Sequence, residues 1–226
     1  MHVDIPGVIV RRVDRLPGTL EGATRVGPYS VARPGALLRV VPSVGRFLAR
    51  DGTTIEYCIE PHADLEAVDA LLHGGVLGAL IHQRGELPLH ATTLVSPDRG
   101  STIALAGHSG AGKSTIAYEL ARRGWMLVSD DLTRITFEAG RPMAWPGRSR
   151  LRLTSDACAH FGLDFEALEK APNWPDKCVL DLPRSERAVP LTSVVCLGRT
   201  DGPFHLETLR GAGALAVLAE QTYRIH

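Results

Sequence analysis

The chain lacks several features that would narrow its function by themselves. Lys plus Arg and Asp plus Glu each number 25 in 226 residues, so no basic excess points to nucleic acid or an anionic membrane as the main partner. The four cysteines, Cys58, Cys158, Cys178 and Cys196, are scattered without metal-ligand spacing and read as thiols in a reducing compartment. No apolar run reaches eighteen residues and the start carries no basic-then-apolar region, so neither membrane spanning nor export is expected, and the reading is cytoplasmic. No repeat or low-complexity tract interrupts the chain. With 44% hydrophobic and 22% charged residues, it is long enough to bury a sizeable core. Recognition of any phosphate must therefore be local.

What is present is concentrated in residues 103–131. Gly107, Gly112, Lys113 and Ser114 satisfy G-x-x-x-x-G-K-[ST], after the apolar run Ile103–Ala106 and before the helix former Ile116–Arg123. Gly107, Gly110 and Gly112 allow dihedrals closed to other residues, so successive N–H groups can converge on phosphate oxygens at a helix start. The whole segment Gly107, His108, Ser109, Gly110, Ala111, Gly112, Lys113, Ser114 and Thr115 is the expected nucleotide cradle. Lys113 would reach the β/γ-phosphates of ATP, and Ser114 would give its hydroxyl to Mg²⁺. His108 stands at a variable position of the motif, where it could touch a phosphate but reads rather as an incidental polar residue.

Spacing then carries the argument downstream. A helix from about Gly112 to Arg123 spans roughly 18 Å, and Gly124 can end it. The strand Trp125–Ser129 covers about 17 Å and returns along the helix. Asp130 and Asp131 therefore come back to the level of the loop, with both strand ends on one edge of a parallel sheet. One carboxylate could hold Mg²⁺ while the other accepts a proton from an attacking hydroxyl or water. A polar strand end or turn cap is the alternative for this pair.

The run Gly107–Thr115, Arg123-Gly124 and Leu127-Val128-Ser129-Asp130-Asp131, with Leu87-Pro88-Leu89-His90-Ala91 upstream, resembles the core of the HPr kinase/phosphorylase family over roughly residues 77–135. The layout is most similar to the smaller HPr-kinase-like proteins associated with modified peptides, some of which phosphorylate the C-terminal serine of a lasso-peptide precursor. The resemblance implies an α/β P-loop kinase core of HPr-kinase type. It makes Asp130 the proton acceptor, Asp131 its partner at the metal and at His90, and Lys113 and Ser114 the nucleotide ligands. Thr115 stands where the HPr enzymes typically have an acidic residue, and their later Glu-Ile-Arg-Gly-Leu-Gly motif has no counterpart, which argues against HPr as acceptor. Assembly in those enzymes involves their C-terminal region, so a homo-oligomer stays open. For His90 the residues alone allow a satisfied core histidine; the resemblance gives it an active-site role.

Elsewhere the pattern predicts a small antiparallel β subdomain over residues 1–62 and the kinase core over 63–226. Leu37–Val41, Gly45–Ala49 and Thr53–Ile59 read as strands, with Asp51-Gly52 as a hairpin turn, whereas residues 1–30 give only a weak strand pattern. Asp64 caps an apolar-striped helix from Leu65 to Gln83 that Gly74-Gly75 can bend. His73 and His82 read as surface or packing residues. Leu87–Val95 is one expected strand, Leu132–Glu138 another, with a hairpin at Ala139-Gly140. In Arg148–Leu153, alternation sets Arg148, Arg150 and Arg152 on one face. Arg150 is the favoured cation for a transferring phosphoryl group, a solvated strand face being the alternative. Lys177 could contact nucleotide or substrate phosphate, or be a plain exposed lysine. Helices are expected at 156–161, 164–170 and 211–223, a loop at 172–175, and strands at 190–197 and 204–209. The function these readings predict is Mg-ATP-dependent transfer to a serine hydroxyl of a peptide or small protein. A small-metabolite kinase and an ATP-binding regulatory protein are the alternatives.

Overall fold

In a computed structural model, residues 3, 5–171 and 174–223 are described. The chain is mixed α/β with several sheets, and it forms two units, one running up to Pro88 and taking in Tyr223, the other Leu89–Thr222. The expected boundary at residue 62 falls inside the first unit.

The first unit holds six strands: β1 (Ile9–Arg12), β2 (Thr24–Gly27), β3 (Ser30–Arg33), β4 (Ala36–Val41), β5 (Gly45–Arg50) and β6 (Thr54–Ile59). Their order is β1-β6-β5-β4-β3-β2. All neighbours are antiparallel except β1, which lies parallel to β6. The sheet is thus larger than expected, because residues 9–33, with short and half-exposed strands, supply three of its members. Asp51 and Gly52 take φ of 54° and 66° at the centre of a turn closed by the Thr53 N–H on the Arg50 carbonyl at 3.0 Å, and with Arg50 opposite Thr54 the connection is three residues long. Leu38 on one face of this sheet, and Phe47 and Ile55 on the other, are fully buried. Glu56, 7% exposed, is charge-paired by Arg11 at 2.6 Å and by Arg50.

The helical stretch is broken as its glycines predict: α1 (Leu65–Leu71) passes through a π-turn at Leu72–Val76, where Gly74 leaves helical dihedrals, into α2 (Leu77–Gln83). The Asp64 carboxylate accepts from the Glu66 N–H at 3.0 Å and caps α1. Leu65–Gln83 is long and apolar enough to cross a bilayer by length and composition, yet half of that window is buried within the protein. His73 bonds the Asp69 carbonyl at 3.0 Å and His82 the Tyr223 carbonyl at 2.5 Å, so both histidines are structural.

The expected strand at 87–95 is two, β7 (Leu87–Leu89) and β8 (Ala91–Val95), interrupted at His90. The second unit continues with β9 (Thr102–Ala106), α3 (Lys113–Arg122), β10 (Met126–Ser129), β11 (Thr133–Glu138) and β12 (Arg141–Ala144). After these come β13 (Arg150–Thr154), α4 (Ser155–His160), β14 (Lys170–Ala171), β15 (Trp174–Asp181), β16 (Val189–Pro190), β17 (Ser193–Cys196) and α5 (Gly211–Glu220). The sheet that organises it has the order β10-β8-β9-β17. β8 is antiparallel to both neighbours, so β9 and β10 run the same way with β8 inserted between them. The return of the chain after α3 is as the spacing predicts, but the two parallel strands are not adjacent. Leu94, Leu105, Ala117 and Leu127 pack this sheet against α3 and against Leu151, Leu153 and Cys178 of the β13-β15-β14 sheet.

Several expectations do not hold. At 164–170 the chain makes one 3-10 turn, Phe165–Ala167, before Lys170 pairs into β14; Asp164 caps that turn but no apolar stripe extends it. Trp174 and Pro175 open β15, while residues 172 and 173 lie outside the described set. β17 is a half-exposed edge strand rather than a buried one. Residues 204–209 form no strand, and Phe204 and Leu206 are 90% and 79% exposed, which leaves their alternation without a sheet to pair with.

Candidate functional site

The site follows from the sheet's register. Ala91 of β8 sits opposite Ala106 of β9, and Thr93 opposite Ser129 of β10, with a bulge in β10 between Leu127 and Ser129. The N-terminal end of β8 and the C-terminal ends of β9 and β10 thus meet on one edge. His90, the loop from Gly107 and the acidic pair Asp130-Asp131 are the residues that emerge there.

Behind them lies a buried hydroxyl network. Thr93 and Thr133 hydroxyls are 2.8 Å apart, Thr133 also donates to the Ala91 carbonyl at 3.1 Å, and Ser129 donates to the Leu132 carbonyl at 2.6 Å. All three residues are fully buried. Such a satisfied network resists rearrangement, since breaking one bond leaves a buried polar atom unpaired. It holds a tight turn in which the Leu132 N–H donates to the Asp130 carbonyl at 2.8 Å. Asp131, at its centre, takes φ of 67°, the left-handed backbone that is uncommon outside glycine but that Asp adopts more readily than most residues.

The turn separates the two carboxylates. Asp130 points inward and accepts from the Thr92 hydroxyl at 2.7 Å, while its N–H donates to the Arg148 carbonyl at 2.8 Å. Although part of the residue reaches the surface, protein atoms enclose the carboxylate. Burial pushes its pKa up to about 6, the Asp131 charge pushes the same way, and the Thr92 bond and the Arg152 charge oppose them. Asp131 points outward and lies 3.2 Å from His90 Nε2. His90 is itself fixed by its N–H, which donates to the Gln221 carbonyl at 2.7 Å where the strand breaks.

The loop is built as its glycines predict. Gly107, Gly110 and Gly112 have φ of 138°, 80° and 98°. A Cβ on Gly107 would stand 2.8 Å from the Leu197 carbonyl oxygen, whereas at Gly110 and Gly112 it would meet open space. There glycine serves dihedral freedom rather than close approach. Lys113 folds its ammonium into the loop, donating to the Gly107 carbonyl at 2.6 Å and the His108 carbonyl at 3.2 Å. Burial lowers the Lys113 pKa, while Asp131 and Asp130 pull it up and Lys177 pushes it down. No side chain caps the first turn of α3. His108, Ser109 and Gly110 are exposed at the rim, and Ala111, Ser114 and Thr115 are half-buried. An anion at the loop would meet this uncapped helix start and the lysine.

The structure thus brings His90, the Gly107–Thr115 segment, Asp130 and Asp131 to one sheet edge, with Lys177 in electrostatic reach of Lys113. Arg150 is placed differently: it donates to Glu169 at 2.5 Å and lies 3.7 Å from Asp181, so carboxylates of its own neighbourhood occupy it. The arginine whose charge is felt at Asp130 is Arg152. Three contributors had no sequence signal. Thr92 reads as an ordinary β-branched strand residue. Gln221 is 6% exposed, and its side-chain oxygen accepts from the Gly107 N–H at 2.8 Å while its carbonyl holds His90, yet it lies more than 110 residues along the chain from either. Gly147 reads as a loop glycine but abuts the acidic turn: its Cβ would lie 2.1 Å from Ser129 Oγ. Gly147→Ala is expected to destabilise the protein by about 1–3 kcal/mol through this overlap, read as a lower thermal midpoint.

No protein-family model matches the chain, and no curated protein matches it. Among solved structures it is similar to the Hpr(Ser) kinase/phosphatase from Coxiella burnetii, with a TM-score of 0.34 and 19% identity over 54% of this chain. The chain spans 65% of that protein's length.

Proposed function

We propose that the protein is a kinase with a P-loop core, using Mg-ATP to phosphorylate a hydroxyl, with a serine of a peptide or small protein as acceptor. The observation that carries this reading is the enclosed Asp130 carboxylate, hydrogen-bonded by Thr92 and standing at the same sheet edge as the Gly107–Ser114 loop. A protein that only sensed nucleotide would need the loop but not a carboxylate tuned toward neutrality.

The residues fit the groups that this chemistry needs. Ser114 and Asp131 offer a hydroxyl and a carboxylate oxygen, the donors Mg²⁺ prefers. Bound Mg²⁺ would supply neutralisation of charge on the phosphate oxygens. Lys113 and the uncapped start of α3 hold negative charge in the loop. His90 orients Asp131. Asp130 takes the proton of the attacking hydroxyl, a transfer that needs its carboxylate form.

Two measurements test this. Intact-mass spectrometry after incubation with Mg-ATP and a panel of serine-containing peptides and small proteins is expected to show addition of one phosphate to an acceptor. ATP binding without transfer to any acceptor would overturn the kinase reading. With an acceptor in hand, kcat/KM is expected to rise with pH along a limb centred on about 6, because protonated Asp130 cannot accept a second proton. A flat profile from pH 5 to 8 would remove Asp130 from that role.

A further inference from the structure

Two of the four cysteines meet in the core of the second unit. Cys158 and Cys178 are both fully buried, and their sulfurs lie 3.1 Å apart, close enough for one S–H to point at the other sulfur. Both are free thiols. Neither takes part in the chemistry proposed above. Of the remaining cysteines, Cys58 is half-buried on β6 of the first unit and Cys196 is exposed on β17.

The meeting follows from local structure. β13 and β15 pair with Leu153 opposite Cys178 and Leu151 opposite Leu180, so these four side chains share the face that packs with Ala117 of α3. Thr154 ends β13, and its hydroxyl accepts from the Ala157 N–H at 3.3 Å, which starts α4 directly at the strand's end. With no linker between them, α4 folds back over that face and lays Ala157 and Cys158 on it. Cys178 sits in the middle strand, paired on both sides by β13 and β14. Cys158 is held less firmly, because α4 is six residues long and buries only Ala157 and Cys158. The local motion that costs least here is α4 lifting from the sheet.

We infer that Cys158 and Cys178 form a modification site, a dithiol that a low-molecular-weight disulfide oxidises to an internal disulfide, locking α4 onto β15. One cysteine sulfur, as thiolate, attacks a sulfur of the oxidant, which forms a mixed disulfide and expels one thiol. The other cysteine then attacks the protein-side sulfur of that mixed disulfide and expels the second thiol. The cysteines lose two electrons, and their two protons end on the two thiols released. The second step is favoured by placement, since the sulfurs need to approach by only roughly 1 Å. Burial, with the Cys178 thiol alongside, pushes the Cys158 thiol up to about 12, so the closed pair offers little thiolate and the first step waits on the lifting of α4. Once formed, the bond stops that lifting. It also closes a loop between residues 20 apart in the chain, which restricts the unfolded state.

The test is oxidation of the full chain, wild type and Cys196→Ser, by glutathione disulfide with and without mild urea, followed by intact-mass spectrometry and peptide mapping without reduction. The expected product is lighter by about 2 Da and links the peptide holding Cys158 to the one holding Cys178. Mild urea is expected to speed its formation by about tenfold, because it favours the lifted helix, and dithiothreitol to reverse it. The oxidised chain is expected to melt about 5–10 °C above the reduced one. Cys158→Ala and Cys178→Ala are each expected to abolish the loss of mass; because either can disturb the core, the linkage map of Cys196→Ser decides. A chain that keeps its mass or gains only a glutathione adduct overturns the site, as does a linkage through Cys58. An oxidised chain that melts at or below the reduced one overturns the lock.

Discussion

Asp130→Asn is expected to lower phosphate transfer by about 10²–10⁴-fold, the usual contribution of a positioned general base, while ATP affinity stays within about threefold. The side chain keeps its shape, and its oxygen still accepts from Thr92, so the geometry of the sheet edge is retained. What disappears is the ability to take a proton. The same substitution is expected to stabilise the fold, and the sign can be worked out. The native carboxyl has a pKa of about 6 against an ordinary value of 3.8. Below 3.8 both states are protonated and Asp130 contributes nothing. Between 3.8 and about 6 the native state keeps a proton that the unfolded chain has lost. Above about 6 the native state holds a buried charge, and the penalty, on the order of 2–3 kcal/mol, is complete. The gain of Asp130→Asn over wild type should therefore grow from pH 4 to pH 8, read as the difference in thermal midpoint. A variant that is inactive and more stable cannot be dismissed as misfolded. Transfer at a near wild-type rate would end the assignment.

Much of this site could be read in advance because it is local in the chain. The glycines of the loop, Lys113, the length of α3 and the return to Asp130 all lie within a short segment, and helix and strand rises convert such a segment into distance. The Asp51-Gly52 hairpin and the Gly74 break are legible for the same reason, since each conformation is chosen by the residues that adopt it. The insertion of β8 between β9 and β10 is not local, and nothing in the spacing of 103–131 encodes it. Gln221 is the extreme case, joining two site elements from a position that only the folded chain brings near. Arg150 and Arg152 show a second limit. Alternation puts both on one face, but which one meets a carboxylate of its own depends on Glu169 and Asp181, which arrive on neighbouring segments. The apolar alternation at 204–209 shows a third: a strand pattern yields a strand only where a sheet edge is available, and here the residues stay exposed.

Lys113→Ala is expected to reduce ATP affinity by about 100-fold and, through it, transfer at any practical ATP concentration. The ammonium donates to two loop carbonyls while two carboxylates draw it toward the charged form against burial. Removing it takes away a charge-assisted contact of roughly 1.5–3 kcal/mol and leaves the carbonyls of Gly107 and His108 without the donor they share. Lys113→Arg is not expected to restore binding, because a planar guanidinium cannot occupy the compact position between those carbonyls. The fold should be little affected, since Gly107 is held separately by the Gln221 side chain at 2.8 Å and Ala117 anchors α3 in the core. Titration with ATP, read beside the thermal midpoint, separates the two effects. Unchanged affinity in Lys113→Ala would mean that nucleotide, if bound, sits elsewhere. Lost affinity in Lys113→Ala with retained affinity in Asp130→Asn would divide the site into a lysine that binds and a carboxylate that acts.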